Sequence, residues 1–346
     1  MNIFHDPHST SDAPVRLAIA GLGGHGWTIQ NAAGYAEGIE VVGVYDPNEA
    51  EAGRSGNRFG VTPAASYEAM LETPGLEAVA LVTPNRLHRA QAEAAFERGL
   101  HVFVEKPIAH TTEDGQAMIE AAERAGRVLM VGHNMRYGAP ARKARDLIQG
   151  GAIGEVVGVE IHFSSDTGLR LEPGAWRLRP DEAPLLPVTQ LGIHALDLVH
   201  AFLGPIETVS AFARTVAMPA PVVDSVVATF RLAAGPMGTM TSHYCTPVRF
   251  QWMITGVEGA LLGTPHTLDH ARGTSEPERV VDVRGTPAES YEHQMEVFAE
   301  AVRAGTNPES DGPAGQLALA VVEAMVASAE AGGAPTTVPN TVYGRV

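Results

Sequence analysis

The run Val15-Arg16-Leu17-Ala18-Ile19-Ala20, apolar but for one residue, leads without a break into Gly21-Leu22-Gly23-Gly24-His25-Gly26, and a segment of helical period follows. A G-x-G-x-x-G turn in that place constrains the fold more than any other feature of the chain. Glycine lets the backbone turn tightly at the strand end, lets main-chain amides approach a pyrophosphate, and lets helix and strand pack closely. Gly21, Gly23, Gly24, His25 and Gly26 are therefore expected at a dinucleotide. Four more apolar runs, at 41–45, 78–82, 102–104 and 128–131, alternate with helix-compatible stretches such as 87–98 and 112–125. Thr111 and Thr112 are candidate caps before Glu113 and Asp114, and Gly99 and Gly126 sit where helices should end. This order predicts a doubly wound parallel sheet. Asp46 closes the second run, twenty-five residues after Gly21. A carboxylate there accepts hydrogen bonds from ribose hydroxyls and repels a 2'-phosphate, which favours NAD over NADP as cofactor.

After about Gly154 the rhythm changes to longer β-prone runs, at 156–163, 208–216, 225–232, 237–244 and 250–255, with one helix near 192–203. These predict a second, mainly antiparallel domain. Helical period returns at 291–304 and 314–331, segments expected to pack back on the first domain. The resulting division is a disordered tail at 1–14, a nucleotide-binding domain at 15–135 and an α+β domain for substrate and oligomer contacts at 136–346. A chain of 346 residues, 45% hydrophobic, is long enough for two cores. The stretch 168–187 reads as a long functional loop.

Charge and cysteine content narrow the function classes. Lys and Arg total 24 against 40 Asp and Glu, a formal charge of -16 that repels phosphate backbones and anionic membrane surfaces, so neither nucleic acid nor membrane is an expected partner. Residues 1–14 lack the apolar centre of a signal peptide, and no uninterrupted apolar run approaches the roughly 20 residues of a bilayer span. With Cys245 as the one cysteine, a cytoplasmic, reducing setting is expected. His266, Asp269 and His270 have a spacing that suggests metal, but they fall in a turn-rich stretch without a further anchor, and no metal is expected.

Val82-Thr83-Pro84-Asn85, then His88, then the segment from Gly99 through Val104-Glu105-Lys106-Pro107 to Ala109 closely resemble the Gfo/Idh/MocA oxidoreductase family, the group that includes glucose-fructose oxidoreductase and inositol dehydrogenase. The resemblance continues through 132–137, 192–197 and the closing helix around Ser328. It implies a Rossmann domain followed by a domain with a large open sheet used for homodimer or homotetramer contacts, a bound NAD or NADP, and a polyhydroxylated substrate, either a sugar, a sugar derivative or a cyclitol. Lys106 matches the family's catalytic lysine and His194 its catalytic histidine.

The chemistry of the residues agrees with that resemblance. An ammonium at the end of the 102–104 run can polarise a substrate oxygen, with Glu105 shaping the turn and Pro107 fixing the backbone. An imidazole at 194 can exchange the hydroxyl proton, and Asp197 is placed to orient that ring or cap the helix. Thr83, Pro84, Asn85, His88, Glu105 and Lys106 are expected around the nicotinamide and its ribose. Asn134, Arg136, Tyr137, Trp176, Arg177, Gln190 and His194 are expected around the substrate. The chain departs from the family at Gln190, four residues before His194, where members commonly carry aspartate. Glutamine cannot ionise but can hydrogen-bond a sugar hydroxyl. The departure motivates one alternative, a cofactor-binding sensor or partner protein without turnover; retention of Lys106 and His194 opposes it.

Overall fold

The computed structural model describes residues 13–219, 221–273, 275–283 and 288–339; the tail expected at 1–14 lies outside them except for its last two residues. The first half runs β1 (Val15–Ala20), α1 (His25–Tyr35), β2 (Ile39–Tyr45), α2 (Glu49–Phe59), α3 (Tyr67–Leu71), β3 (Ala78–Leu81), α4 (Asn85–Glu97), β4 (His101–Val104), α5 (Thr112–Ala125) and β5 (Leu129–Val131). Its strands form one sheet in the order β2-β1-β3-β4-β5, every pair parallel. Helices cover both faces, so β3 and β5 are buried at every position and their sequences read as continuous apolar runs. Thr111 caps α5 through the Asp114 amide, and Gly126 ends it in the left-handed conformation, both as the sequence predicts.

The second half adds α6 (Ala139–Gln149), β6 (Val156–Ser164), α7 (Ile193–Leu203), β7 (Ile206–Arg214), β8 (Ser225–Leu232), β9 (Met237–His243), β10 (Arg249–Gly256), β11 (Gly259–Gly263), β12 (Thr267–Arg272), β13 (Glu278–Asp282), α8 (Ala288–Ala304), α9 (Gly312–Glu330) and β14 (Thr336–Thr337). Its sheet is nine-stranded, β13-β12-β11-β10-β6-β9-β8-β7-β14, and antiparallel except where β6 meets β9. The stretch read from sequence as turn-rich is instead the antiparallel ladder β11-β12-β13. Within it Asp269 pairs with Arg279 and His270 Nε2 faces the Ala152 carbonyl at 3.2 Å, so neither is turned toward a common ligand.

The last two long helices tie the halves together. From α8, Met295, Phe298 and Val302 enter the core built on Leu17, Ile19 and Phe103, with the Phe103 and Phe298 rings edge-on at 5.9 Å. From α9, Leu319 joins the core of the first sheet while Val321, Val322 and Met325 join that of the second. Burial between two sheets explains why α9 is long and apolar enough, by length and composition alone, to cross a membrane. Ser328 is its polar fastening: the buried hydroxyl accepts from the Ala211 amide at 2.9 Å and donates to the Ala334 carbonyl at 2.7 Å. Ser328→Ala leaves that amide unpaired, and a urea-denaturation series is expected to show a loss of about 1–3 kcal/mol.

Candidate active site

In a parallel sheet of this kind, ligands bind at the carboxyl ends of the strands. There the glycine turn follows β1. A Cβ on Gly21 would lie 2.4 Å from the Val82 carbonyl oxygen, and one on Gly26 would lie 2.1 Å from the Gly21 oxygen, so neither position admits a side chain. α2, α3, α5 and α9 are capped by Asn48, Ser66, Thr111 and Asp311; α4, α6 and α7 have neither a side-chain cap nor an acid in the first turn, and the same holds for α1, which begins at the glycine turn. Its amides and dipole are thus left for an anion, which is the fit a pyrophosphate requires. Asp46 is locked beside this turn, Oδ2 accepting from the Leu22 amide at 2.7 Å and Oδ1 from the Asn48 amide at 2.8 Å. Each oxygen keeps acceptor capacity for a ribose hydroxyl.

At the end of β4, Glu105 and Lys106 point into one cluster. Lys106 Nζ donates to the Gln190 carbonyl at 3.0 Å. Burial pulls its pKa down to about 8, against the attraction of Glu105 and with the repulsion of Arg177. Burial pushes the Glu105 carboxyl up, but His25, whose Nε2 lies 3.3 Å from Oε1, and the Lys106 charge and amide hold it below the ordinary value. Gly132, after β5, makes room for that carboxylate, since a Cβ there would come within 2.6 Å of Oε1.

His194 stands in the first turn of α7, after a single π-turn at Val188–Gly192. It is buried, and burial, reinforced by Lys106 and then by the His133 and His25 rings, drives its pKa well below 6.5. The imidazole is therefore neutral, and its Nδ1 has no hydrogen-bond partner among the described residues. Gln190 joins the other two groups: its carbonyl receives Lys106, and its side-chain oxygen accepts from Arg177 Nε at 2.9 Å. Arg177 lies over Trp176, Cζ 4.5 Å from the ring centroid. Lys106, Gln190, Arg177 and Trp176 thus form one cluster, and the Lys106 charge reaches His194.

Other expectations need correction. His88 does not face the cofactor; it is buried, with Nδ1 against the Pro107 and Ile108 carbonyls at 3.1 and 3.2 Å and Nε2 against the Thr83 carbonyl at 2.9 Å. Its work is to tie the turns after β3 and β4 together. Asp197 neither orients His194 nor caps α7, because it accepts two bonds from Arg136, 2.6 Å from Nε and 2.7 Å from Nη2. Arg136 spends Nη1 on the Glu309 carbonyl at 2.9 Å, so all three of its guanidinium nitrogens are engaged within the protein. Asn134 donates to Ser290 Oγ and Tyr137 meets Ser310 Oγ. Both line a cavity of about 880 Å³ beside the start of α8, which Lys106, Gln190, His194 and Arg177 do not line. Thr83 donates to Gln91 Oε1 at 2.6 Å, and Asn85 is buried at the start of α4, directly after Pro84.

Two features escaped the sequence. His133 is buried 6.2 Å from the His194 ring, with neither nitrogen hydrogen-bonded among the described residues. It follows β5 as Lys106 follows β4, and that position was a usable signal. Arg86 of α4 pairs with the buried Glu182, joining the 168–187 loop to the nucleotide half; no local pattern announces it.

Comparison with known proteins fits this geometry. Residues 15–133 match the family model described as "Oxidoreductase family, NAD-binding Rossmann fold", and residues 141–262 match the "GFO/IDH/MocA C-terminal domain". A D-xylose 1-dehydrogenase (NADP(+)) of Haloferax volcanii is 29% identical over 85% of this chain and 91% of its own length. The scyllo-inositol 2-dehydrogenase (NAD(+)) of Bacillus subtilis is 29% identical over 85% and 88%. A levoglucosan dehydrogenase solved in complex with NADH shares the fold, with a TM-score of 0.87 at 23% identity over 94% of this chain and 99% of that one.

Proposed function

Since the chain belongs to the Gfo/Idh/MocA oxidoreductase family, we propose that it transfers hydride between NAD and a hydroxyl-bearing carbon of a sugar, sugar derivative or cyclitol, with Lys106 polarising the substrate oxygen and His194 exchanging its proton. The observation that carries this reading is a partly buried ammonium, held on Gln190 at the ligand edge of the sheet, whose charge reaches a buried imidazole with an unengaged Nδ1. When bound, NAD supplies the hydride acceptor. In oxidation, the hydroxyl proton passes to His194 while Lys106, with two donors left after Gln190, stabilises alkoxide character on the oxygen. Preference for NAD rests on the Asp46 carboxylate and on Arg54, which is already paired with Glu51. The open face of the large sheet, where Val157, Val227 and Met237 are exposed, supports a homo-oligomer.

The test is a panel of sugars and cyclitols offered with NAD and, separately, NADP, read by nicotinamide absorbance. NAD binding without turnover on every member would favour the sensor reading. With the true substrate, the pH profile of kcat/KM has a defined sign. Lys106 works as its ammonium, so the rate is expected to fall as pH rises through about 8. The acid limb, set by His194, is expected below 6.5. Lys106→Arg should carry the alkaline limb to higher pH; a limb that stays in place would assign it to another group.

A further inference from the structure

Arg177 is held firmly and left without a counter-charge. Trp176 covers one face, Gln190 Oε1 takes Nε, and Nη1 and Nη2 have no hydrogen-bond or ion-pair partner among the described residues. Neighbouring arginines are treated differently: Arg170 pairs with Asp166, and Arg179 with Asp181 at 2.8 Å. In a chain with 40 acidic residues against 24 basic ones, a guanidinium set in a partly buried cluster without a carboxylate is not explained by scarcity of acids.

Gln190 sharpens the point. One residue holds two cations, Lys106 on its main-chain oxygen and Arg177 on its side-chain oxygen, and neutralises neither. The carboxylate beside Lys106, that of Glu105, faces His25 at 3.3 Å through Oε1 and accepts the Lys106 amide on Oε2. With Nε taken, Arg177 presents Nη1 and Nη2 as a fork, the geometry that receives two oxygens of one carboxylate or phosphate.

We propose that the substrate carries an acid group, a carboxylate or a phosphate, that docks on Arg177 Nη1 and Nη2 while its hydroxyl-bearing carbon lies beside Lys106 and His194. This rests on the hydride-transfer reading above. Both cations are anchored on the same glutamine, so the acid and the reacting carbon belong to one small molecule of sugar size. The anion completes the fork and offsets the repulsion between Arg177 and Lys106. A neutral polyol meets Lys106 through its hydroxyl but leaves the Arg177 fork without a counter-charge.

The experiment uses the full chain with NAD and matched ligands: glucose and myo-inositol as neutral arms, gluconate and glucuronate as carboxylate arms, glucose 6-phosphate as the phosphate arm. An acid arm is expected to exceed the neutral arms in kcat/KM by about 100-fold, the worth of a charge-assisted bidentate contact. The arm that wins identifies the acid. Arg177→Gln should bring that ratio close to one, and Arg177→Lys should keep part of it. Neutral arms turning over as well as acids, or a ratio that Arg177→Gln leaves in place, would overturn the acid substrate while sparing hydride transfer. Calorimetric titration of the same ligands into the NADH complex separates the remaining case. Acids that bind the wild type but not Arg177→Gln, with no turnover, would support the anion site and refute the redox reading. Equal binding of acids and neutral polyols would refute the anion site.

Discussion

Lys106→Met is expected to lower turnover by about 10²- to 10³-fold, the loss seen when one preorganised donor to a developing oxyanion is removed. Methionine approximates the length of the lysine stem, so the packing under Gln190 is largely kept and the missing element is the ammonium. The ammonium is partly buried and fixed on Gln190, and mobile water is a poor substitute for a donor already held in place. Steady-state rates with the preferred substrate give the first measure, and NADH titration by fluorescence gives the second. Turnover should fall much further than cofactor affinity, because the glycine turn and Asp46 stand at the ends of other strands. A variant that retains wild-type turnover would remove Lys106 from the chemistry.

The second large effect is on stability. Asp197 is fully buried and Arg136 nearly so, and each satisfies the other through two hydrogen bonds. Asp197→Ala strands a guanidinium in the interior, and removing one partner of such a pair costs about 3–5 kcal/mol. Denaturant unfolding should show that loss, and Arg136→Met combined with Asp197→Leu should recover most of it, since a matched apolar pair no longer carries a buried charge. If the single substitution costs less than about 1 kcal/mol, the range of a surface pair, the arrangement is not the buried pair described here.

Local chemistry made much of this legible in advance. The glycine turn and the five apolar runs each carry their meaning within a few residues, because strand ends and tight turns impose their demands locally. Failure came where meaning arises from juxtaposition. Arg136 looked like a pocket residue because nothing near it in sequence reveals that Asp197 faces it across the core. His88 has the chemistry of a cofactor contact until the Pro107 and Ile108 carbonyls arrive from another turn. β12 alternates correctly, with Leu268 and His270 inward, but it is six residues long, and a histidine on an inward position hides its period.

The order of synthesis gives the α8 contact a further meaning. Leu17, Ile19 and Phe103 leave the ribosome early, yet Met295, Phe298 and Val302, which complete their cover, are translated near the end. A nascent nucleotide-binding half therefore waits with part of its apolar interior wet, in the condition that invites aggregation. An excised fragment ending before α8 would remain in that condition permanently.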